Sequence, residues 1–432
     1  MLTDSADFRP GSVKSYRDAA YFCIEKLEAN GFEAYVVGGT VRDILSGRKV
    51  SDLDIATSAR PEQVHKVFSG CRLLDTGIKH GTVTLILPAE DASKLQLEIT
   101  TYRLESTYSD ARHPDEVEFT SSIEEDLARR DLTINAMAWH PQRGILDPYG
   151  GKKDLEAGIL RAVGLPEERF REDALRILRT LRLAAELGFV IEEDTEAALV
   201  AERERLALVS AERLYIEFAR LITAGKAAQI IEKYWQVIAI FLPEFTVFSN
   251  SVIREKYLPQ LDLLPAQLAD RLAYLAALIS SGINANSMNP AISICRHLKC
   301  PKKLAREIVC LYELTITALP ADKLTVDGVR RQLAVFGRSL DDLFLLKGLF
   351  GQPQEDIEEL RKIDQELSSA NLQGLKSIDI DGVDLIKLGF EGEAVGSVLN
   401  KLYQAVLCDG LANEKESLLE RARTYRDKPD HF

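Results

Sequence analysis

The feature that most restricts the fold is a change of pattern near residue 155. Before it, short β-branched runs alternate with helical segments; after it, apolar residues recur almost everywhere at helical spacing. Neither a lone β-sandwich nor a lone helical bundle fits such a chain. The expected class is α+β, a mixed-sheet head followed by helical parts. With 432 residues there is room for two to four domains, and soft boundaries fall near residues 155, 225 and 330.

Local signals give the order within the first part. Residues 17–30 carry helical apolar spacing, YVVGG is a short buried strand stopped by Gly38 and Gly39, and VRDILSG is a short helix ending at Gly47. In the strand SDLDIAT, alternation places Asp52 and Asp54 on one face and Leu53 and Ile55 on the other. Pro61 opens the helix PEQVHKVF, and CRLLDTG, GTVTLIL and LQLEITTY supply three more strands. Residues 103–118 are polar and aperiodic, which reads as a long loop of the functional or mobile kind. DPYGGKKDL reads as a glycine-rich turn that hinges the sheet region to the helical remainder. Beyond it, a helix through EDALRILRTLRLAAELGF ends at Gly188, and SAERLYIEFARLITAG has Ser210 as its expected N-cap.

Composition excludes several functions. No run of about eighteen apolar residues is present, and the first residues lack a signal-peptide core, so no membrane partner and a cytoplasmic or organelle-matrix location are expected. Six cysteines form no CxxC pair and are expected as buried free thiols. Six histidines without HExxH argue against a zinc hydrolase. A net charge of −13 sits awkwardly with nucleic acid, yet a local basic stripe suffices for a phosphate backbone. The densest stripe is RHLKCPKKLAR, with Lys299, Lys302, Lys303 and Arg306; it reads equally as a solvated helix face.

Two same-face carboxylates one residue apart, Asp52 and Asp54, form a hard-oxygen site suited to Mg²⁺, and just ahead of them Gly38-Gly39 and Arg42 make a turn able to meet phosphate. If two metals clamp the reacting oxygens a third catalytic carboxylate is needed, and Glu98 is the natural candidate, since Leu95, Leu97 and Ile99 take the core side of its strand; an exposed strand glutamate is the plainer alternative. In EEDLARRDLTINAMA, Arg130 can hold a triphosphate while Asp131 and Asn135 offer polar groups to ribose; a surface ion pair is the plainer alternative. From Glu172 to Leu187, Asp173, Arg176, Arg179 and Arg182 recur every third residue opposite Ile177, Leu178, Leu181 and Ala185. This is either a solvated face or an arginine fork beside an aspartate. The fork matches cytosine and adenine, each with an amino donor beside a ring-nitrogen acceptor, and mismatches guanine and uracil by about 1–3 kcal/mol per unsatisfied group.

The series GGTVRD, SDLDIAT, EEDLARRDLTINAMA, DPYGGKKDL, REDALRILRTLR and SAERLYIEFARLI resembles, in order and spacing, the class II tRNA nucleotidyltransferases, which include CCA-adding enzymes and bacterial poly(A) polymerases. The resemblance covers residues 30–222 and is weak beyond. It implies a polymerase-β-like head (1–155), then a helical neck (156–225), body (226–330) and tail (331–432) that hold the tRNA acceptor end. It also implies Mg²⁺ at Asp52 and Asp54, and CTP or ATP against Gly39, Arg42, Arg130, Asp173, Arg176, Arg179 and Arg182. In-line attack of an RNA 3′-hydroxyl on the α-phosphate would release pyrophosphate. Within the family, the long loop at 103–118 and the pI of about 5.2 favour full CCA addition over partial (CC- or A-) addition and over poly(A) addition. No His-Asp phosphohydrolase pair and no obligate protein partner are expected. An inactive helical scaffold is opposed by retention of Asp52, Asp54, Arg130, Asp173 and Arg176 together.

Overall fold

The computed structural model describes residues 15–50, 52–88, 94–105, 117–282, 288–372 and 374–427. Most of the long polar segment at 103–118 lies outside the described residues. Contacts divide the chain into two compact units, residues up to Lys226 with Gln236–Phe241, and Ala227–Trp235 with Leu242 onward.

In the first unit, α1 (Tyr16–Glu28) starts at Ser15, whose hydroxyl accepts from Asp18 N at 3.2 Å. Next in chain order are β1 (Ala34–Val37), α2 (Gly39–Leu45), β2 (Leu53–Thr57), α3 (Pro61–Val67), β3 (Arg72–Gly77), β4 (Thr82–Pro88) and β5 (Lys94–Thr101). After them come β6 (Arg103–Glu105), β7 (Val117–Phe119), α4 (Ile123–Ala128), β8 (Ala138–His140) and β9 (Gly144–Leu146). Seven strands form one mixed sheet in the order β3-β4-β5-β2-β1-β8-β9, in which β2 and β5 run parallel and every other neighbouring pair is antiparallel.

Leu53, Ile55, Val83, Leu85, Leu97 and Ile99 bury one face of the sheet with Ala19, Cys23, Ile24 and Leu27 of α1 and Val64 and Val67 of α3. Full burial of such aliphatic side chains stabilises by about 1.5–3 kcal/mol each, which fixes the register of the strands they belong to. The opposite face carries a smaller cluster, Tyr35, Val37, Ala56, Tyr102, Ile123, Leu127 and Ala138.

The glycine-rich turn is present, with Gly150 at φ 73°, but the first compact unit continues through it to Lys226. Gly151 opens α5 (Gly151–Ala157), with its N–H on Asp147 Oδ1 at 2.7 Å. A Cβ there would stand 2.1 Å from the Thr133 carbonyl oxygen, so the glycine lets α5 pack directly on the turn at Thr133–Asn135. Next come β10 (Ile159–Leu160), α6 (Pro166–Glu172), α7 (Leu175–Leu187), β11 (Val190–Ile191), α8 (Glu193–Ala201) and α9 (Ala211–Thr223). The stretch after the sheet is largely helical, with the two-residue parallel pairing of β10 and β11 as a small exception. α7 stops at Gly188, which adopts φ 71°. Ser210 occupies the N-cap position of α9, but its side chain makes no capping hydrogen bond.

α10 (Ala227–Ile238) contains non-helical backbone at Tyr234, and the division between the units falls beside it. The second unit is helical: α11 (Leu268–Gly282), α12 (Pro290–His297), α13 (Lys302–Ile316), α14 (Lys323–Ala334), α15 (Leu340–Phe350), α16 (Gln354–Ser369), α17 (Gly382–Lys387), α18 (Glu393–Cys408) and α19 (Lys415–Asp427). Ala269 through Ile279 of α11 are all buried, as its nearly unbroken apolar sequence requires, and α12, α13 and α15 pack around it. Among the described residues no helix is long and apolar enough to cross a membrane. The expectation of buried thiols holds only in part: Cys23 and Cys295 are buried, Cys71, Cys300 and Cys310 are half-buried, and Cys408 is exposed.

Candidate active site

The site grows from the pleat of β2. Leu53 and Ile55 point into the core, so Asp54 emerges on the other face, and the parallel register sets Glu98 of β5 beside it. Asp52 lies just before β2, and its carbonyl accepts the Thr40 hydroxyl at 2.9 Å. The same hydroxyl accepts from Asp54 N at 3.2 Å, so buried Thr40 fastens the glycine turn to the carboxylate strand. Each such bond contributes about 1 kcal/mol net. Nothing in the sequence pattern distinguishes Thr40 from any other residue near the start of a helix.

The Asp54 carboxyl is pushed up to about 6, by burial first, then by Glu98, with Arg130 opposing and Asp52 adding to the rise. A cluster of carboxylates whose mutual repulsion raises one member is a donor set suited to a divalent cation. Among the described residues no three His, Cys, Asp or Glu side chains are grouped to enclose a metal.

Gly38, at φ 70°, enters α2 where a Cβ would collide with Arg130 Nη1 at 2.7 Å. The glycine thus admits both a left-handed turn and the close approach of a guanidinium. Asp126, 1% exposed, accepts from Arg129 Nη2 at 2.7 Å and Arg130 Nη2 at 3.1 Å, and so aims both arginines. Arg130 Nε is buried with no hydrogen-bond partner.

A polar chain leads onward from α2. Arg42 donates to Asp43 and, through Nη1, to Asn135 Oδ1 at 2.9 Å; Asn135 donates to Asp131 Oδ1 at 3.1 Å; and Asp131 Oδ2 stands 3.3 Å from Arg179 Nη2. Burial alone would raise the Asp131 carboxyl, but Arg179, Asn135, Arg176 and the Leu132 N–H outweigh it and hold it at about 2. Asp131 Oδ2, although ion-paired, accepts no hydrogen bond. Glu217 of α9 accepts from Arg182 and lies 3.9 Å from Arg179.

The expected continuous helix from Glu172 is broken. α6 ends at Glu172, Asp173 adopts extended backbone (φ −143°, ψ 103°), and α7 begins at Leu175. Asp173 Oδ1 accepts from Leu175 N at 3.1 Å and Oδ2 from Arg213 of α9 at 2.7 Å. Arg176 donates to Glu172, to the Arg169 carbonyl at 3.2 Å and to the Arg129 carbonyl at 3.0 Å. The charged side of α7 is no solvated face: Arg176 and Arg182 are each 5% exposed.

All these groups line one cavity of about 650 Å³ within the first unit: Gly39, Arg42, Asp52, Asp54, Glu98, Arg130, Asp131, Asn135, Asp173, Arg176, Arg179 and Arg182 are on its wall. Sequence reasoning left out five further charged wall residues, Asp43, Arg103, Arg129, Arg213 and Arg220. Nine arginines face six carboxylates there, so the site is locally basic in a chain of net charge −13. Lys299, Lys302, Lys303 and Arg306 belong to the second unit and are exposed.

The chain matches three family models: the poly(A) polymerase head domain over residues 34–161, an RNA- and SrmB-binding site of polymerase A over 188–248, and tRNA nucleotidyltransferase domain 2 over 272–422. It is 35% identical to the CCA-adding enzyme of Bacillus subtilis over 91% of this chain and 94% of that one. It is 34% identical to the CCA-adding enzyme of Lactiplantibacillus plantarum over 96% and 97%. Among solved structures, the Bacillus stearothermophilus CCA-adding enzyme in complex with CTP superposes with a TM-score of 0.74 at 28% identity, covering 96% of this chain and all of that one. The Thermotoga maritima CCA-adding enzyme complexed with tRNA shares the fold, with a TM-score of 0.63 at 23% identity, covering 95% and 96%. With its sheet-borne carboxylates, its arginine-lined cavity and relatives that span nearly its whole length, the chain belongs to the CCA-adding family of nucleotidyltransferases.

Proposed function

We propose that this enzyme completes the 3′ end of tRNA by adding C, C and A from CTP and ATP. The observation that carries the reading is one cavity whose wall brings the carboxylates Asp52, Asp54 and Glu98, with Arg130 close to Asp54, together with Asp173, Arg176, Arg179 and Arg213. The carboxylates suit the reacting phosphate with its metal, and the arginines suit the triphosphate and base. The names of the relatives, and the CTP-bound and tRNA-bound states of two of them, support the same assignment.

The RNA 3′-hydroxyl attacks the α-phosphate in line and pyrophosphate leaves. Mg²⁺ held by Asp52 and Asp54, when bound, supplies positive charge that polarises the phosphate and favours the alkoxide form of the attacking oxygen. The arginines do the remaining neutralisation. Arg130, braced by Asp126, neutralises the triphosphate, and Asp131, ion-paired with Arg179, takes a ribose hydroxyl. Asp173 and Arg176 read the base: carboxylate beside guanidinium meets the amino donor and ring acceptor shared by cytosine and adenine. Both are held by protein partners, so recognition begins by exchanging Arg213 and Glu172 for the base edge. Lys299, Lys302, Lys303 and Arg306 serve the RNA backbone, the helical segments after residue 155 act as neck, body and tail, and the enzyme works in the cytoplasm.

Three tRNAs, ending before CCA, after one C and after two, are incubated with the protein, Mg²⁺ and labelled CTP or ATP. The expected result is incorporation of both nucleotides and arrest after one A. Failure to add A to the CC-ended tRNA assigns CC addition instead, and an open-ended A ladder assigns poly(A) synthesis.

A further inference from the structure

The second unit contains a chemistry-bearing pair that the transfer reaction does not use. α12 ends in a complete Schellman motif: Lys299 takes the left-handed conformation (φ 49°) and its N–H donates to Arg296 O at 3.1 Å, while Cys300 N–H reaches back to Cys295 O at 2.9 Å. In this motif the side chains on either side of the six-residue closure meet. Here both are cysteines, so the backbone closure sets the two thiols side by side. Both are free thiols.

The surroundings differentiate the two sulfurs. Cys300 is half-buried and stands directly before Pro301, the N-cap of the 15-residue helix α13, with Lys299, Lys302 and Lys303 flanking it in sequence. Positive charge and a helix N-terminus favour thiolate. The neighbouring Cys295 accordingly lowers the Cys300 thiol, while Cys300 and burial raise Cys295. Cys295 is only 7% exposed and borders a groove of about 620 Å³ rimmed by Arg296, Arg306 and a single acid, Glu313, which leaves a net positive charge. That cationic rim suits an oxidant that bears carboxylates.

We propose that Cys295 and Cys300 are a redox-active dithiol, oxidised to an intramolecular disulfide by a carboxylate-bearing low-molecular-weight disulfide. The Cys300 thiolate attacks one sulfur of the oxidant RSSR, forming Cys300–S–SR and expelling RS⁻, which takes up a proton as RSH. The Cys295 thiol then gives up its proton, and its sulfur attacks the Cys300 sulfur and releases the second RS⁻ to be protonated. Two thiols are oxidised, one disulfide is reduced to two RSH, and protons balance. The product bond locks the turn that leads into Lys302, Lys303 and Arg306.

The full-length protein is incubated with oxidised glutathione, alkylated, digested and mapped by mass spectrometry, with a parallel count of free thiols. Two of the six thiols should be lost to a Cys295–Cys300 linkage that dithiothreitol reverses. Limiting iodoacetamide should label Cys300 about tenfold faster than exposed Cys408. Cys295→Ser should stop at a glutathione adduct on Cys300. A Cys295–Cys310 linkage, a stable adduct on Cys300 in the unaltered protein, or persistence of both thiols overturns the proposal. The mapping of the unaltered protein requires no variant to fold.

Discussion

Arg213 of α9 donates to the Asp173 carboxylate at 2.7 Å, across the backbone break between α6 and α7. The carboxylate proposed to read a base is therefore already neutralised by a protein cation, and both groups are partly exposed to the cavity. Asp173→Ala or Arg176→Ala is expected to raise misincorporation of UTP and GTP relative to CTP and ATP by about tenfold to a hundredfold, the equivalent of one or two unsatisfied polar groups. Competition assays with paired nucleotides read this directly. Unchanged selectivity removes the base-reading role.

Asp54 links activity to stability with opposite signs. Its carboxyl is raised to about 6, so between the ordinary aspartate value and 6 the folded metal-free protein holds a proton that the unfolded chain has lost. Stability from this group falls as pH rises through that window. Asp54→Asn should therefore stabilise the metal-free protein at pH 7.5, by about 1–2 kcal/mol after allowance for solvent, with the gain vanishing below pH 4. The same variant should lose about a thousandfold or more in nucleotide incorporation. Thermal melts without metal and single-turnover assays with Mg²⁺ test the two halves; a less stable Asn variant at pH 7.5 contradicts the first.

Asp131 behaves in the reverse sense. Held at about 2, it stabilises the fold fully above the ordinary aspartate value, and the contribution is lost as pH falls from about 4 to 2. Denaturant titrations of the unaltered protein and Asp131→Asn should differ most at neutral pH and converge over that acid interval. A gap independent of pH would show that Arg179 does not depend on the charge.

Lys347 of α15 is fully buried, and its ammonium donates to Thr317 O at 2.7 Å, Gln352 Oε1 at 3.1 Å and Thr315 O at 3.4 Å. Burial lowers it to about 8. Between 8 and the ordinary lysine value the unfolded chain keeps a proton that the folded one has released, so this group makes stability rise with pH there. Relative to Lys347→Met, the unaltered protein should gain about 1–3 kcal/mol between pH 7.5 and 10, measured as urea midpoints. Parallel pH profiles for the two proteins would refute it.

How much of this was legible depends on the separation of interacting residues. Strands β1 to β5 and the side of α7 that bears Ile177, Leu178 and Leu181 follow from alternation and helical spacing, which are local, whereas β8 and β9, three residues each, were too short to read. Glu98 was reachable for the same reason: its core neighbours Leu97 and Ile99 determine which way it points. The break at Asp173 was not, because Glu172, Asp173 and Ala174 carry no glycine or proline, and the extended residue is held by Arg213, forty positions away. Likewise the burial of Arg182 rests on Glu217, thirty-five positions on, so a face that looks solvated along one helix is in fact an interior network. Gly150 makes the turn that its sequence announces, but the role of Gly151, close packing against the Thr133 carbonyl, depends on a contact eighteen positions away.

The parallel pairing of β2 with β5 has a consequence for how the reaction centre can change over time. Asp54 and Glu98 are neighbours only because Leu53 pairs with Leu97 and Ile55 with Ile99 in the same ladder. A slip of one residue would turn Glu98 toward the hydrophobic interior and present a leucine or isoleucine to the carboxylates. Four aliphatic side chains that never meet a nucleotide thus act as the ruler for the chemistry, and substitutions among them will be felt as altered catalysis before they are felt as unfolding.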